Sequence, residues 1–207
     1  MYEFISDLDA YFCENYANYD KLCCLNGYRM PKMQATKLNE YGVEVGYTLP
    51  KTEMRLALQE KKQSLLAQWK EKFVDPTFSF SFVPCKWTTR IKHVFSVHTF
   101  PKRMHVLLKN RGMDENTLPE GLQIDMEVWK GLMSGRFLPT KNLLFSLSLC
   151  MHLSFDECKD LLWVCYEKWD FTEAKDVVIS YLLQQKIYHQ DKVMAALTEY
   201  KITGLFL

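Results

Sequence analysis

The segment "DMEVWKGLMSGRFLPTKNLLFSLSL", residues 125–149, carries the start and stop signals of two consecutive helices. The first helix begins at Asp125, a residue type that caps helix N termini, and is interrupted by Gly135, a residue type that ends helices. The second helix follows Pro139 and continues through a run of leucines. The segment therefore predicts two short helices with a tight connection between them.

Helical patterns continue on the N-terminal side of this segment. The stretch "FPKRMHVLLKNRG" (100–112) predicts a helix with Pro101 in its first turn and Gly112 just past its end. Residues 114–124, "DENTLPEGLQI", predict a second and shorter helix. Four helices are thus predicted in succession from residue 99 onwards.

The C-terminal side is predicted to be helical as well. Ser154, followed three residues later by Glu157, is the signature of a capping box, which opens a fifth helix. Two amphipathic helices and an apolar tail are predicted after Trp169. Together these patterns predict an all-α unit over residues 98–207.

Residues 1–97 are predicted to form a separate α+β unit. The stretch "KMQATKLNEYGVEVGYTL" (32–49) alternates on both sides of a turn-like "NEYG" and predicts a β-hairpin. The stretch "TFSFSFV" (77–83) predicts a further strand with alternate phenylalanines on one face. The predicted fold class is therefore mainly α, with a short antiparallel sheet in the N-terminal unit. Helices of this unit are predicted at residues 3–18, 19–25, 51–73 and 87–95.

Charge is unevenly distributed along the chain, although the formal net charge is only +1. Residues 76–113 contain seven Lys or Arg and no acidic residue, whereas residues 114–207 contain 9 bases and 14 acids. A basic island of this kind either faces a polyanion or docks on the acidic C-terminal part of the chain. The sequence alone leaves both alternatives open.

Composition and motifs narrow the functional class. No apolar run reaches the roughly 18–20 residues that a membrane-spanning helix needs. Acidic residues occupy the start of the chain, where a signal peptide has a basic region, so a cytoplasmic protein without membrane association is expected. A glycine-rich phosphate loop, a nucleophile elbow and a His-Glu helix motif are all missing from the sequence, and neither an enzyme nor a cofactor is expected. Cys158 and Cys165 are predicted to be buried thiols, and no metal site is expected.

The five helices from residue 100 to about 165 resemble the lambda-repressor-like helix-turn-helix domain of phage-repressor-type regulators. The stretch "SGRFLPT" (134–140) is similar to the Ser-Gly-basic-x-x-Pro-Ser/Thr ending of the family's third helix. The resemblance implies a DNA-binding transcription regulator that binds paired half-sites as a homodimer, with the N-terminal unit used for dimerisation or ligand sensing. The apolar positions of the second and third helices are occupied by Leu118, Leu122, Ile124, Val128, Trp129 and Leu132.

Two positions depart from the family pattern. Pro119 stands where the second helix usually has a small residue, and a proline inside a helix costs ~3 kcal/mol unless it lies in the first turn. Gln123 stands where the family prefers glycine, so a left-handed conformation is less favourable there. The first departure lies in the second helix, and the second lies in the turn before the recognition helix.

The resemblance places Met126, Glu127 and Lys130 nearest to base edges, with Gly131 also exposed. Arg or Lys recognises guanine and Asn or Gln recognises adenine, so Lys130 is the one side chain at these positions that could recognise either base. Double-stranded DNA is the expected partner; the alternative is a protein partner, because this helix has more apolar bulk than a DNA-facing helix needs. The cations expected to contact phosphates are Lys102, Arg103, Lys109, Arg136 and Lys141.

Overall fold

The structure is a computed structural model that describes residues 3–17, 34–48, 64–76, 80–86, 96 and 98–207. Contacts divide the chain into two compact units, Met1–Phe73 and Val74–Leu207. The described residues form nine helices and two separate two-stranded antiparallel sheets. The prediction of a mainly helical chain with a short antiparallel sheet is therefore confirmed. The predicted helices at 19–25 and 87–95, and residues 51–63 of the long helix, lie outside the described residues.

Two helices of the N-terminal unit pack through aromatic side chains. They are α1 (Glu3–Asn15) and α2, which is described over residues 64–72. Phe12 of α1 is fully buried, and its ring centroid lies 5.1 Å from that of Trp69 in α2. Offset or tilted aromatic pairs at this separation contribute about 0.5–1.5 kcal/mol beyond the area that they bury. The helix predicted over residues 3–18 is thus present and contributes a core contact.

The predicted hairpin around "NEYG" is present. Strand β1 (Gln34–Leu38) pairs with strand β2 (Glu44–Thr48) in antiparallel register. The Oδ1 atom of Asn39 accepts hydrogen bonds from the backbone N–H groups of Tyr41 and Val43, each at 2.9 Å. Gly42 has φ 74, in the left-handed region that glycine enters without steric cost. The turn residues therefore fix the hairpin register locally.

The second sheet belongs to the C-terminal unit. Strand β3 (Phe82–Pro84) pairs with strand β4 (Phe137–Pro139), and the rings of Phe82 and Phe137 lie 4.5 Å apart. The sequence prediction instead assigned residues 77–83 to an N-terminal unit that ends at residue 97. The assignment of this strand to the N-terminal sheet is wrong, because its partner is a distant strand that no local pattern indicates. Phe80 lies outside the strand and is exposed.

Every helix predicted between residues 99 and 199 is present. Two of the predicted helix caps are present as well. Gly112 ends the first of these helices with φ 61, and Ser154 and Glu157 form the predicted capping box. These signals are local, which explains why the pattern located the helices. The helices are α3 (Phe100–Arg111), α4 (Thr117–Gly121), α5 (Met126–Met133), α6 (Lys141–Cys150), α7 (Phe155–Val164), α8 (Ala174–Gln184) and α9 (Gln190–Glu199).

Helices α6 and α8 form the centre of the C-terminal unit. All residues from Asn142 to Leu149 and from Ala174 to Leu183 are buried. Helix α8 contacts α6, α7 and α9. The prediction that α8 is amphipathic is wrong, since a helix buried on all sides lies inside a core. Helix α8 is therefore an integral part of this unit rather than a helix added to its surface.

Candidate functional site

Helices α4 and α5 are joined by a tight turn. Of the two departures from the family pattern, Pro119 lies in α4 and Gln123 lies in this turn. Pro119 is the third residue of α4, so it lies in the first turn, where a backbone N–H has no helical partner. Gln123 adopts φ 51, the left-handed conformation for which glycine is preferred. Asp125 caps α5, because its Oδ1 accepts from the backbone N–H of Glu127 at 2.8 Å and of Val128 at 3.3 Å. The turn thus has a left-handed residue and a capped helix start.

The outward surface of α5 is smaller than predicted. Met126, Glu127 and Lys130 are exposed, and Lys130 Nζ lies 3.0 Å from Glu127 Oε1. Gly131 was predicted to be exposed, which is wrong: it is buried, and a Cβ at this position would collide with the Phe137 ring. The cause is that β4 folds back across this part of α5. The outward surface therefore consists of one methionine and one intrahelical ion pair.

Three of the five cations predicted to contact phosphates are bound to a carbonyl oxygen or a carboxylate within the chain. Lys102 Nζ donates to the Ser96 carbonyl oxygen at 2.7 Å. Arg103 Nη2 donates to Asp160 Oδ2 at 2.9 Å. Lys141 Nζ lies 2.5 Å from the buried carboxylate of Asp176. Any contact with a phosphate by the last two would compete with an existing ion pair.

The other two predicted cations are exposed. Lys109 lies on α3, and Arg136 follows α5. Arg136 Nε donates to Ser134 Oγ at 3.2 Å, and its guanidinium carbon lies 5.8 Å from the Phe137 ring centroid. Among the described residues, neither Lys109 nor Arg136 has a carboxylate within ion-pair distance. Together with Lys102, which donates to a backbone carbonyl oxygen, they are the predicted phosphate contacts with no competing acid in the described part of the chain.

Part of the basic island docks on α7. Besides Arg103, Arg111 reaches this helix: its Nη2 lies 2.7 Å from Glu157 Oε2, and its Nε donates to the Met151 carbonyl at 2.8 Å. Burial alone would raise the pKa of Glu157, but hydrogen bonds from Ser154 and Arg111 outweigh it and hold that pKa below its usual value. For these two arginines, the contacts favour the alternative in which basic residues pair with the acidic C-terminal part.

A cavity that sequence reasoning missed lies beside α6 and the start of α8. Its volume is about 470 Å³. A signal was present in the sequence: Lys175 and Asp176 interrupt an apolar run in "AKDVVISYLL", where two adjacent charges need buried partners. The residues that line the cavity include Leu138, Lys141, Phe145, Glu167, Glu173 and Asp176.

Lys175 lines this cavity, and its ammonium group has three hydrogen-bond acceptors. Its Nζ atom lies 2.9 Å from Asp75 Oδ2, 3.1 Å from Asn142 Oδ1 and 2.7 Å from the Thr203 carbonyl oxygen. An ammonium group has three N–H donors, so three acceptors satisfy it. Lys175 therefore ties together segments that are far apart in the sequence, and its role is structural.

Asp176 is the buried acid of the cavity. Its Oδ2 atom accepts a hydrogen bond from the backbone N–H of Asp170 at 2.6 Å in addition to its contact with Lys141. Burial raises the pKa of Asp176 to about 6, although Lys141 acts in the opposite direction. The group thus titrates close to neutral pH, which distinguishes it from an ordinary surface aspartate.

Two of the described cysteines are buried. Cys158 and Cys165 are buried, as predicted, and burial raises the pKa of both thiols. A raised pKa keeps a thiol protonated, which makes it a poor nucleophile and a poor metal ligand. Within the described ranges, no three His, Cys, Asp or Glu side chains are grouped so as to hold a metal ion.

Comparisons with protein-family models, with curated proteins and with solved structures find no match to this chain. The lambda-repressor-like resemblance therefore stays a prediction.

In the part of the chain that the structure describes, no helix combines the length and the apolar character needed to cross a membrane.

Proposed function

We propose that the C-terminal unit is a lambda-repressor-like helical domain that binds a protein partner instead of reading duplex DNA. The observation that carries this proposal is the internal pairing of its cations. Arg103 and Lys141, two of the expected phosphate contacts, form ion pairs with Asp160 and Asp176 at 2.9 and 2.5 Å. Affinity for DNA depends largely on the number of phosphates that a protein neutralises, so this pairing weakens DNA binding.

The outward surface of α5 supports the same proposal. Lys130 is the one basic side chain among the four positions predicted to face the major groove, and it is paired with Glu127 at 3.0 Å. Gly131 is covered by Phe137. A glutamate near phosphates adds repulsion, and no Arg, Asn or Gln at these positions supplies bidentate recognition of a base.

An exposed aromatic surface offers an alternative binding face. It comprises His98, Trp163 and Tyr166. The side chains of Trp163 and Tyr166 are 64% and 68% exposed, and the His98 ring lies 5.6 Å from that of Trp163. Large exposed aromatic side chains are enriched at protein interfaces, where tryptophan and tyrosine frequently dominate the binding energy.

The first test is fluorescence anisotropy with generic duplex DNA across a range of salt concentrations. We expect no saturable binding at about 50 mM salt, where counterion release favours DNA complexes most. Binding whose logarithm falls linearly with that of the salt concentration, and which weakens in the Lys109→Ala/Arg136→Ala variant, would refute the proposal. The second candidate function, DNA-binding regulation, would then stand. It is supported by Lys102, Lys109 and Arg136, which have no acid partner among the described residues.

The second test concerns the aromatic surface. A partner retained by the chain after nuclease treatment should bind Trp163→Ala at least tenfold more weakly. Lys159→Ala is the matched control, because Lys159 is exposed one helical turn away on α7. A partner lost in the lysine variant but kept in the tryptophan variant would indicate an electrostatic interface and contradict the aromatic one.

A further inference from the structure

The cavity beside α6 and α8 has the dimensions of a small-molecule site. Its volume is about 470 Å³, within the range of about 300–1,000 Å³ that is typical of ligand pockets. One wall is apolar and is formed by Val83, Leu138 and Phe145. The charged part of the wall consists of Lys141, Glu167, Glu173, Lys175 and Asp176.

The charged wall has an excess of carboxylates. Lys175 is balanced by Asp75 at 2.9 Å, and its three N–H donors all have acceptors. Lys141 then remains as one cation against the carboxylates of Glu167, Glu173 and Asp176. A cleft lined by an excess of one sign of charge attracts ligands of the opposite sign, and low-dielectric walls strengthen the effect. Because Lys141 is already paired with Asp176, an anionic ligand would meet Glu167 and Glu173, two carboxylates that no other cation of the lining balances.

Asp176 provides a fixed acceptor inside this cleft. Only 2% of the residue is accessible to solvent, yet it lines the cavity. Both hydrogen bonds that the described residues give to its carboxylate, from Lys141 and from the Asp170 backbone, reach Oδ2. Its Oδ1 atom is therefore available to a ligand donor. A buried carboxylate oxygen that already has a rigid position gives directional recognition at little entropic cost.

We propose that this cavity binds a small organic cation, an amine or guanidinium carried on a short apolar body. The cationic group donates to Asp176 Oδ1 and is neutralised by Glu167 and Glu173, while the apolar body lies against Phe145 and Leu138. This site is independent of the aromatic surface and of α5. Loss of either protein binding or DNA binding therefore has no bearing on it.

The test is isothermal titration calorimetry with three four-carbon probes of different charge: putrescine, succinate and 1,4-butanediol. We expect putrescine to bind at least tenfold more tightly than the other two. The Glu167→Gln/Glu173→Gln variant should weaken putrescine at least tenfold, whereas Glu120→Gln, an exposed acid on α4, should leave it unchanged. Equal binding of succinate, no putrescine binding at millimolar concentration, or equal effects of the two variants would each overturn the proposal.

Titration of Asp176 supplies a second readout. The charged and titratable groups that face it are Lys141 on α6, Asp170 in the preceding loop and the Cys158 thiol on α7. With a pKa of about 6, Asp176 is mostly protonated at pH 5 and mostly ionised at pH 7. Putrescine should therefore bind up to about tenfold more weakly at pH 5 than at pH 7. The Asp176→Asn variant should bind weakly at both pH values, and a preserved pH dependence in this variant would contradict the assignment.

Discussion

Helices α5 and α8 both carry a lysine close to an acid in the sequence, yet the two lysines lie in opposite environments. Lys130 pairs with Glu127 of the same helix at 3.0 Å, with side-chain exposures of 62% and 76%. Lys175 pairs with Asp75 at 2.9 Å, with side-chain exposures of 6% and 3%. Exposed intrahelical pairs contribute about 0.3–0.5 kcal/mol, whereas breaking a buried pair costs about 3–5 kcal/mol.

This difference separates variants that probe function from variants that probe the fold. Charges on α5 are accessible to a partner and can be removed with little effect on stability. Charges on α8 hold segments of the chain together and have no access to a macromolecule. A loss of binding in an α5 variant is therefore interpretable, while a loss in an α8 variant first requires proof of folding.

The largest effect is expected from Lys175→Met, which keeps the length of the side chain but removes the ammonium. Asp75, Asn142 and the Thr203 carbonyl oxygen each lose a donor inside the protein. We expect the free energy of unfolding to fall by about 3–5 kcal/mol, measured by urea denaturation. Lys159→Ala, an exposed lysine on α7, should change it by less than about 0.5 kcal/mol.

A double variant isolates the pair itself. Asp75→Asn combined with Lys175→Met should cost less than the sum of the two single changes, because neither then leaves an opposite charge behind. Additive costs would indicate that the two side chains do not interact, and the comparison between α5 and α8 would lose its basis.

The buried network lay beyond sequence reasoning for a physical reason. The interruption of an apolar run by Lys175 and Asp176 is visible in the sequence, but their partners are Asp75, Asn142, Lys141 and Thr203, which only the tertiary fold brings near. The same holds for α8, whose burial on all sides depends on the packing of three neighbouring helices. Local patterns located the helix and left its position in the core undetermined.

The second prediction concerns pH. The pKa of Asp176 is raised by burial to about 6 from an ordinary value of 3.8, so the folded state binds its proton more tightly than the unfolded state. Ionisation of this group therefore destabilises the fold as pH rises from about 4 to about 6, by about 2–3 kcal/mol. Urea unfolding of the natural chain and of Asp176→Asn should show the natural chain losing this amount relative to the variant between pH 4 and pH 7.

Asp160→Asn serves as the control for this titration, because Asp160 is exposed and pairs with Arg103 at the surface. Over the same pH range, the natural chain should show no comparable loss of stability relative to Asp160→Asn. If the natural chain instead gains stability relative to Asp176→Asn as pH rises, the attraction of Lys141 outweighs the burial of the carboxylate.

The third prediction tests the cover over α5. Gly131→Ala places a methyl group against the Phe137 ring, and we expect a loss of about 1–3 kcal/mol in the free energy of unfolding. Gly121→Ala, on α4, meets no atom within 4 Å and should be neutral or stabilising by up to about 1 kcal/mol. Adding Phe137→Leu to Gly131→Ala should restore part of the loss. Equal stability of the two alanine variants would mean that β4 does not cover the helix.

The segment that forms α4 and α5 was predictable to the extent that its signals are local. Asp125 and Gly135 located the ends of α5, and the apolar spacing identified Trp129 and Leu132 as core residues. The burial of Gly131 was not predictable in this way, since Phe137 covers this residue only after β4 pairs with β3. The positions of the helices and of their core residues were therefore predicted more accurately than the exposed surface on which function depends.

The smallest expected effect concerns the turn between α4 and α5. Gln123 has φ 51, and a residue with a Cβ is strained in this left-handed conformation by about 1 kcal/mol. Gln123→Gly should therefore raise the free energy of unfolding by about 0.5–1 kcal/mol, since the relief of strain exceeds the added flexibility of the unfolded chain. Gln185→Gly is the matched control: Gln185 is an exposed glutamine at a helix C-cap with φ −84, and glycine there should lower stability. The measurement is the urea midpoint of unfolding for each variant. If residue 123 is left-handed, the midpoint should rise in Gln123→Gly and fall in Gln185→Gly. A fall in both variants would mean that residue 123 does not occupy the left-handed region in solution.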